Sequence, residues 1–258
     1  MPTILYESQH ITLNTHENLL DGLERAGVEA PSSCSSGICH GCMAQALSGT
    51  VPPDAQRGLT DHQRRLNYFL TCQCYPEADL QFTLAGNLNA RTAATLVDKR
   101  VLNQRVLRVR LQAEIDWRAG QHIILWRTPT RGRTYSLAST PEEGFLELHV
   151  RRRPDGLVSH WLEHQLGIGE QIQISPATGD TYYSPAMPGQ PLLLVGTGTG
   201  LAPFISIIKD PEVYEAFDKV IVTHGVRYKS ELAYQSEIEE LPNNEFFGEM
   251  VDGKLLYY

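Results

Sequence analysis

Pro31-Ser32-Ser33-Cys34-Ser35-Ser36-Gly37-Ile38-Cys39-His40-Gly41-Cys42, followed well downstream by Cys72-Gln73-Cys74-Tyr75-Pro76, is the stretch that decides the fold of the first part of this chain. Its spacing is Cys-x4-Cys-x2-Cys with a distant fourth cysteine. That pattern matches four thiolates holding a [2Fe–2S] cluster. Backbone N–H groups aimed at the sulfurs must offset the negative charge of such a site. A loop of small residues suits that need, because Gly37 and Gly41 are free to take positive φ. Ser33, Ser35 and Ser36 add hydroxyl donors. Zinc is the competing occupant, but zinc sites usually present two Cys-x2-Cys knuckles and only Cys39/Cys42 forms one here.

Around this stretch, Thr3–Tyr6 and His10–Leu13 read as a hairpin. Asn18–Ala26 reads as a helix with Leu19, Leu20 and Leu23 on one face, ended by Gly27. The chain has 258 residues, enough for two domains or three small ones. The five cysteines are an odd number, four of them in the motif, which favours a metal or cluster site over disulfides. A net charge of −8 argues against nucleic acid as a partner. Apolar runs such as Leu192–Val195 are too short to cross a bilayer. The opening Met-Pro-Thr-Ile-Leu-Tyr-Glu-Ser lacks a basic stretch followed by an apolar one, so it is not expected to act as a signal peptide. No membrane association is expected, and the expected location is cytoplasmic.

The cysteine segment resembles the plant-type ferredoxin domain of flavin-dependent reductases. That resemblance implies a β-grasp domain over residues 1–88 with Cys34, Cys39, Cys42 and Cys72 as cluster ligands. The ferredoxin ligand precedes a proline by four residues, which favours Cys72 over Cys74 and leaves Cys74 as a buried thiol. Two positions depart from the family: Ser35 stands where arginine is usual, and His40 where glycine is common.

Alternating stretches follow, among them Val106–Leu111 and Phe145–Val150, and suggest a small antiparallel barrel over residues 92–188. Arg133-Thr134-Tyr135-Ser136 resembles the flavin signature of the ferredoxin–NADP reductase superfamily. The resemblance implies that Arg133 meets phosphate, that the Tyr135 ring lies on the isoalloxazine, and that Ser136 hydrogen-bonds its N5 edge. Tyr135 and Ser136 are thus the catalytic candidates. The segment His149-Val150-Arg151-Arg152-Arg153-Pro154-Asp155-Gly156-Leu157-Val158-Ser159 leads from a strand through a glycine loop into a helix. His149, Val150, Arg151, Gly156 and Ser159 are further flavin-binding candidates, with Ser159 placed as an N-cap beside a pyrophosphate. FAD rather than FMN follows from the resemblance, because the ferredoxin module leads.

Pro191–Val195 reads as a buried-type strand entering Gly196-Thr197-Gly198-Thr199-Gly200-Leu201-Ala202-Pro203 and a helix. Strand, glycine loop and helix let backbone amides approach a pyrophosphate. The loop closely resembles the NAD(P)H loop of the same superfamily. A second strand, Val220–His224, leads to Arg227, which by resemblance meets the nucleotide, and a helix is expected over Glu231–Leu241. A Rossmann-like domain winds about five or six parallel strands. Residues 189–258 have room for at most three, so this domain is expected to be incomplete. The resemblance implies a reductase carrying electrons from NAD(P)H through FAD and the cluster to an oxygenase or similar acceptor protein. The rival is a non-enzymatic electron carrier, or a truncated remnant, that makes no use of pyridine nucleotide.

Overall fold

The computed structural model describes residues 2–84, 91–179, 181, 183 and 190–258. The expected domain limits at 88 and 188–189, and the linking stretch 85–90, lie outside the described residues. Those residues fall into two compact units, Met1–Arg91 with Ile124–Thr134, and Thr92–Ile123 with Tyr135–Tyr258. Among the described residues no helix is long and apolar enough to cross a membrane.

The first unit is built on β1 (Ile4–Tyr6), β2 (Gln9–Ile11), α1 (Leu19–Arg25), β3 (Met43–Gly49), α2 (Asp61–Arg65), β4 (Tyr68–Leu70) and β5 (Leu80–Leu84). Its five strands lie in the order β2-β1-β5-β3-β4, with β1 and β5 parallel. Helix α1 starts where Asn18 accepts a hydrogen bond from the Asp21 amide at 2.9 Å, satisfying one of the free donors of the first turn. Leu19, Leu20 and Leu23 then pack among Ile4, Ile11, Phe69 and Phe82 in one core. At Gly22 the Leu13 side chain packs close, and a Cβ there would stand 2.1 Å from its Cδ2 and push it aside. The Leu19 amide donates to the Cys74 carbonyl at 2.8 Å, which ties the start of the helix to the second cysteine segment.

The rest of the chain adds β6 (Thr92–Val101), β7 (Val106–Gln112), β8 (His122–Trp126), β9 (Gly132–Ser136), β10 (Leu146–Arg151), α3 (Ser159–His164) and β11 (Gln171–Ile174). These strands form a six-stranded sheet in the order β10-β7-β6-β11-β8-β9. Lys99 closes the C-terminal end of α3, where carbonyls lack partners. Its half-buried ammonium donates to the carbonyls of Leu162, Glu163 and Leu166 at 3.1, 3.0 and 2.6 Å. Beyond them come β12 (Leu192–Thr197), α4 (Ala202–Ile208), α5 (Glu212–Ala216), β13 (Val220–Gly225), α6 (Gln235–Glu240), α7 (Gly248–Val251) and β14 (Leu255–Tyr257). The three strands are parallel, in the order β12-β13-β14. Leu194, Ile205, Tyr214 and Val222 share their core with Val106, Ala119 and Ala138 from the preceding sheet region.

Three local expectations change. Strand β12 is buried on one face only: Leu194 is inside, while Leu193 and Val195 are 59% and 64% exposed, because its core contacts come from one side. The helix expected over 231–241 shrinks to α6. Lys229–Glu231 forms a 3-10 turn, and the chain leaves helical geometry at Leu232 before Tyr234 turns inward to 1% exposure. Ser159 is the first residue of α3 rather than its cap. Val158 occupies the cap position with no side-chain bond, and Ser159 Oγ instead donates back to the Arg153 carbonyl.

At the heart of the second unit, Glu147 on β10 is fully buried. Arg110 Nε donates to it at 2.7 Å, Arg108 Nε stands at 3.9 Å, and His149 Nε2 lies 3.4 Å away. The His149 ring stacks on Tyr234 at 3.8 Å and 15°. Burial pushes the Glu147 carboxyl up, but the hydrogen bond with His149, the charges of Lys209 and His149 and the hydrogen bond from Arg110 outweigh it. The net effect holds the group down to about 2. Its contribution to stability is therefore whole above the ordinary value of 4.5 and is lost as pH falls toward 2. Removing one partner of a buried pair costs about 3–5 kcal/mol. Glu147→Ala is expected to lose stability on that scale in a denaturant titration. Glu147→Gln should unfold with a flatter acid dependence than the parent, and identical acid profiles would assign the stabilisation elsewhere.

Candidate functional site

Sheet register gathers the cysteines. Met43 on β3 pairs with Leu70 on β4, so Cys42 just before one strand and Cys72 just after the other emerge at the same end of the sheet. Thr71 fastens the two segments, its amide and its hydroxyl both donating to the Cys42 carbonyl at 3.1 Å. In the intervening loop Ser35, Gly37 and His40 adopt φ of 53°, 81° and 55°. These left-handed turns cost Ser35 and His40 energy that glycine does not incur. They also point amides at sulfur: Ser36 and Cys39 N–H donate to Cys34 Sγ, and Gly41 N–H to Cys39 Sγ, each at 3.4 Å.

The four thiols meet as two pairs. Cys39 hydrogen-bonds Cys34, which with the Ser36 amide holds the Cys34 thiol down to about 3 against the opposing effect of burial. Cys42 does the same for Cys72, which is lowered to about 7, with Gln73 and the Gly37 backbone as further donors. Cys39 and Cys42 are pushed up, first as the donors of those pairs and then by burial. Cys74 stands apart in the core of the first unit, and burial alone pushes it up to about 12. Among the described residues no group of three His, Cys, Asp or Glu side chains encloses the position of one metal ion. Two thiolates for each of two irons is the arrangement a [2Fe–2S] cluster takes, and the two pairs fit it.

The flavin candidates are spread along β9, β10 and the turn that follows. Arg133 is exposed and donates only to the backbone carbonyls of Ser33 at 3.4 Å and Gly132 at 3.0 Å, so no carboxylate among the described residues neutralises it. Tyr135 and Ser136 are half-buried at the end of the same strand. The side chains of His149 and Val150 are enclosed, at 4% and 0% exposure, which leaves their backbone as the part able to meet a ligand. Gly156 leaves room for the Ser159 hydroxyl: a Cβ there would stand 2.1 Å from Ser159 Oγ and displace it. An exposed guanidinium with no carboxylate partner among the described residues is chemically suited to phosphate oxygens.

The glycine loop does form a cavity. Thr197, Gly198 and Thr199 line a space of about 430 Å³ together with Gly225, Val226 and Arg227 at the end of β13. Gly198 takes φ of 52°, and space beside Gly200 is open where a side chain would project. His224 steadies the loop, its Nε2 lying 3.3 Å from the Gly198 carbonyl and its Nδ1 3.2 Å from the Tyr257 hydroxyl. Burial pushes this imidazole below its ordinary value, keeping it neutral. Arg151, read from sequence with the flavin residues, lines this same cavity. So do Arg105 and Glu231, which sequence reasoning passed over, because a turn arginine and a helix-like glutamate carry no local signal.

Three family matches run along the chain in order. Residues 3–77 match the 2Fe-2S iron-sulfur cluster binding domain, 93–183 the oxidoreductase FAD-binding domain, and 194–247 the oxidoreductase NAD-binding domain. The chain is 32% identical over 240 residues to the reductase component, ferredoxin–NAD(P)+, of the naphthalene 1,2-dioxygenase system of Pseudomonas putida, covering 88% of this chain and 71% of that protein. It is 33% identical to the reductase subunit of an aromatic O-demethylase from Amycolatopsis, over 84% and 69% of the two chains. A ferredoxin–NADP reductase of Pseudomonas aeruginosa is 46% identical over 128 residues, 49% of each chain. The chain thus spans about half the length of that relative. Among solved structures, an Amycolatopsis cytochrome P450 reductase superposes with a TM-score of 0.60 at 26% identity, covering 100% of this chain and 80% of that one.

Proposed function

Since the chain belongs to the family of reductases that join a 2Fe-2S domain to FAD-binding and NAD-binding oxidoreductase domains, we propose that it passes electrons from NAD(P)H through FAD and a [2Fe–2S] cluster to an oxygenase or a similar acceptor protein. The observation that carries this is the meeting of four thiols as two pairs, in a chain that also holds a glycine-loop cavity lined by arginines. In this reading the three parts are a β-grasp ferredoxin domain over 1–88, an antiparallel flavin-binding barrel over 92–188 and a Rossmann-like nucleotide domain over 189–258. The work is placed in the cytoplasm.

When bound, the nicotinamide and flavin supply hydride chemistry and the cluster supplies one-electron steps. The chain's own residues bind and orient. Cys34, Cys39, Cys42 and Cys72 hold the irons, and the amides of Ser36, Cys39 and Gly41 offset charge on sulfur. Arg133 and the Gly156–Ser159 turn hold flavin phosphates, the backbone of His149, Val150 and Arg151 borders the flavin, and Tyr135 and Ser136 meet the ring itself. Gly196, Thr197, Gly198, Thr199 and Gly200 receive the nucleotide's pyrophosphate, with Arg227 beside it.

Three measurements test this. The anaerobic visible spectrum should show cluster and flavin bands that bleach on adding NADH or NADPH. Bands that respond to dithionite alone would leave an electron carrier. Cys72→Ser should remove the cluster absorbance while Cys74→Ser keeps it, and equal loss in both would overturn the ligand assignment. Arg133→Ala should retain less flavin through gel filtration, and unchanged flavin content would remove that residue from the site.

A further inference from the structure

The cavity beside the glycine loop is walled on its far side by the turn between β6 and β7. Asn103 shapes that turn, its Oδ1 accepting from the amides of Arg105 at 2.8 Å and Val106 at 2.9 Å. The same turn is latched to the segment after β13. Asn103 Nδ2 donates to the Glu231 carbonyl at 3.2 Å, and Arg105 Nε donates to the Glu231 carboxylate at 3.2 Å. Arg105, Arg151 and Arg227 therefore face one space, opposed by the single carboxylate of Glu231. Three cations against one anion leave a surplus that suits a dianionic group. A phosphate monoester carries about −1.5 to −2 charges near neutral pH, which matches it. Arg105 is not locked to one partner by burial. Its side chain is 48% exposed and also lines a second cavity of about 480 Å³ with Arg152, Arg153 and His160.

We propose that the Arg105–Glu231 pair is the specificity element of this pocket, Arg105 leaving Glu231 to grip the 2′-phosphate of NADPH together with Arg227. The proposal rests on the reading of the cavity as a pyridine-nucleotide site and names which nucleotide it takes. In the structure Glu231 holds Arg105 through its Nε at the wall of the cavity. A nucleotide without the 2′-phosphate gives Arg105 no reason to leave its carboxylate and gains nothing from it. A nucleotide with the phosphate gains a planar, bidentate partner. Glu231 is the opposing weight: it competes for Arg105 and repels the incoming dianion, so its removal strengthens phosphate binding.

The test is equilibrium titration of the full-length, flavin-loaded protein with NADP+, NAD+ and adenosine 2′-monophosphate, followed by calorimetry. Charge-assisted hydrogen bonds of this kind amount to about a tenfold change in affinity each. The parent should prefer NADP+ to NAD+ by about tenfold or more. Arg105→Ala should weaken NADP+ and adenosine 2′-monophosphate about tenfold while leaving NAD+ within about twofold, and Arg105→Lys should recover part of the loss. Glu231→Gln should tighten NADP+ severalfold without altering NAD+. Arg105→Ala weakening both dinucleotides alike, or neither, would overturn the clamp, as would weaker NADP+ binding in Glu231→Gln. If the parent binds neither dinucleotide, the nucleotide reading of the cavity falls and takes the clamp with it.

Discussion

Glu147 is a carboxylate shut away from water, and it stays ionised because His149, Lys209 and the arginines on β7 offset its burial. Strand periodicity makes this more than a local bond. Along β10, Glu147, His149 and Arg151 point to one face and Leu146, Leu148 and Val150 to the other. The apolar face is ordinary core. The polar face is covered as well, by the Tyr234 ring stacked on His149, so a row of charged and aromatic side chains lies where hydrophobic packing is the usual cement. The same face ends at Arg151, in the arginine-lined cavity. Burying such a row is costly unless every member is matched. The Tyr234 hydroxyl and Arg108 Nε are buried without a hydrogen-bond partner among the described residues, which marks where the matching is incomplete.

The cysteine site answers a different constraint. Four thiols must converge although they belong to two chain segments, and the convergence is prepared by ordinary backbone bonds. The β3–β4 register, the two bonds from Thr71 to the Cys42 carbonyl and the bond from Leu19 to the Cys74 carbonyl fix both segments before sulfur chemistry enters. The loop between Cys34 and Cys42 bears strain, in the left-handed Ser35 and His40. These are the two positions at which the chain departs from the resembled ferredoxins, so two non-glycine residues sit where the backbone is least comfortable.

Sequence alone reveals what is periodic or tightly spaced. Cysteine spacing, the leucine face of α1, the parallel strands β12 and β13 and the glycine loop between β12 and α4 are all local patterns, and each stands where those patterns put it. What escaped it is what depends on distant partners. Tyr234 looks like one more residue of a helix running from Glu231, yet the pull of the buried pocket around His149 breaks the chain before it. Ser159 has the composition of a cap, but its hydroxyl finds the Arg153 carbonyl first. Arg151 reads as part of the flavin motif, and its side chain lines the cavity with Arg227. Arg105 and Glu231 are far apart in sequence and meet only through the fold.

Lys99 gives a last consequence, for chemical modification. Its amine donates to three carbonyls at the end of α3 and sits half-buried as a structural cap. An acylating reagent needs a clear approach to the nitrogen, and the three carbonyls bonded to Lys99 deny it one. It would remain unlabelled while exposed amines such as that of Lys219 react. Were it acylated, by a reagent in excess or by an enzyme, the amide formed would retain one N–H where three had been bonded. The last turn of α3 would lose its closure, so labelling at Lys99 would report that this end of the helix had already opened.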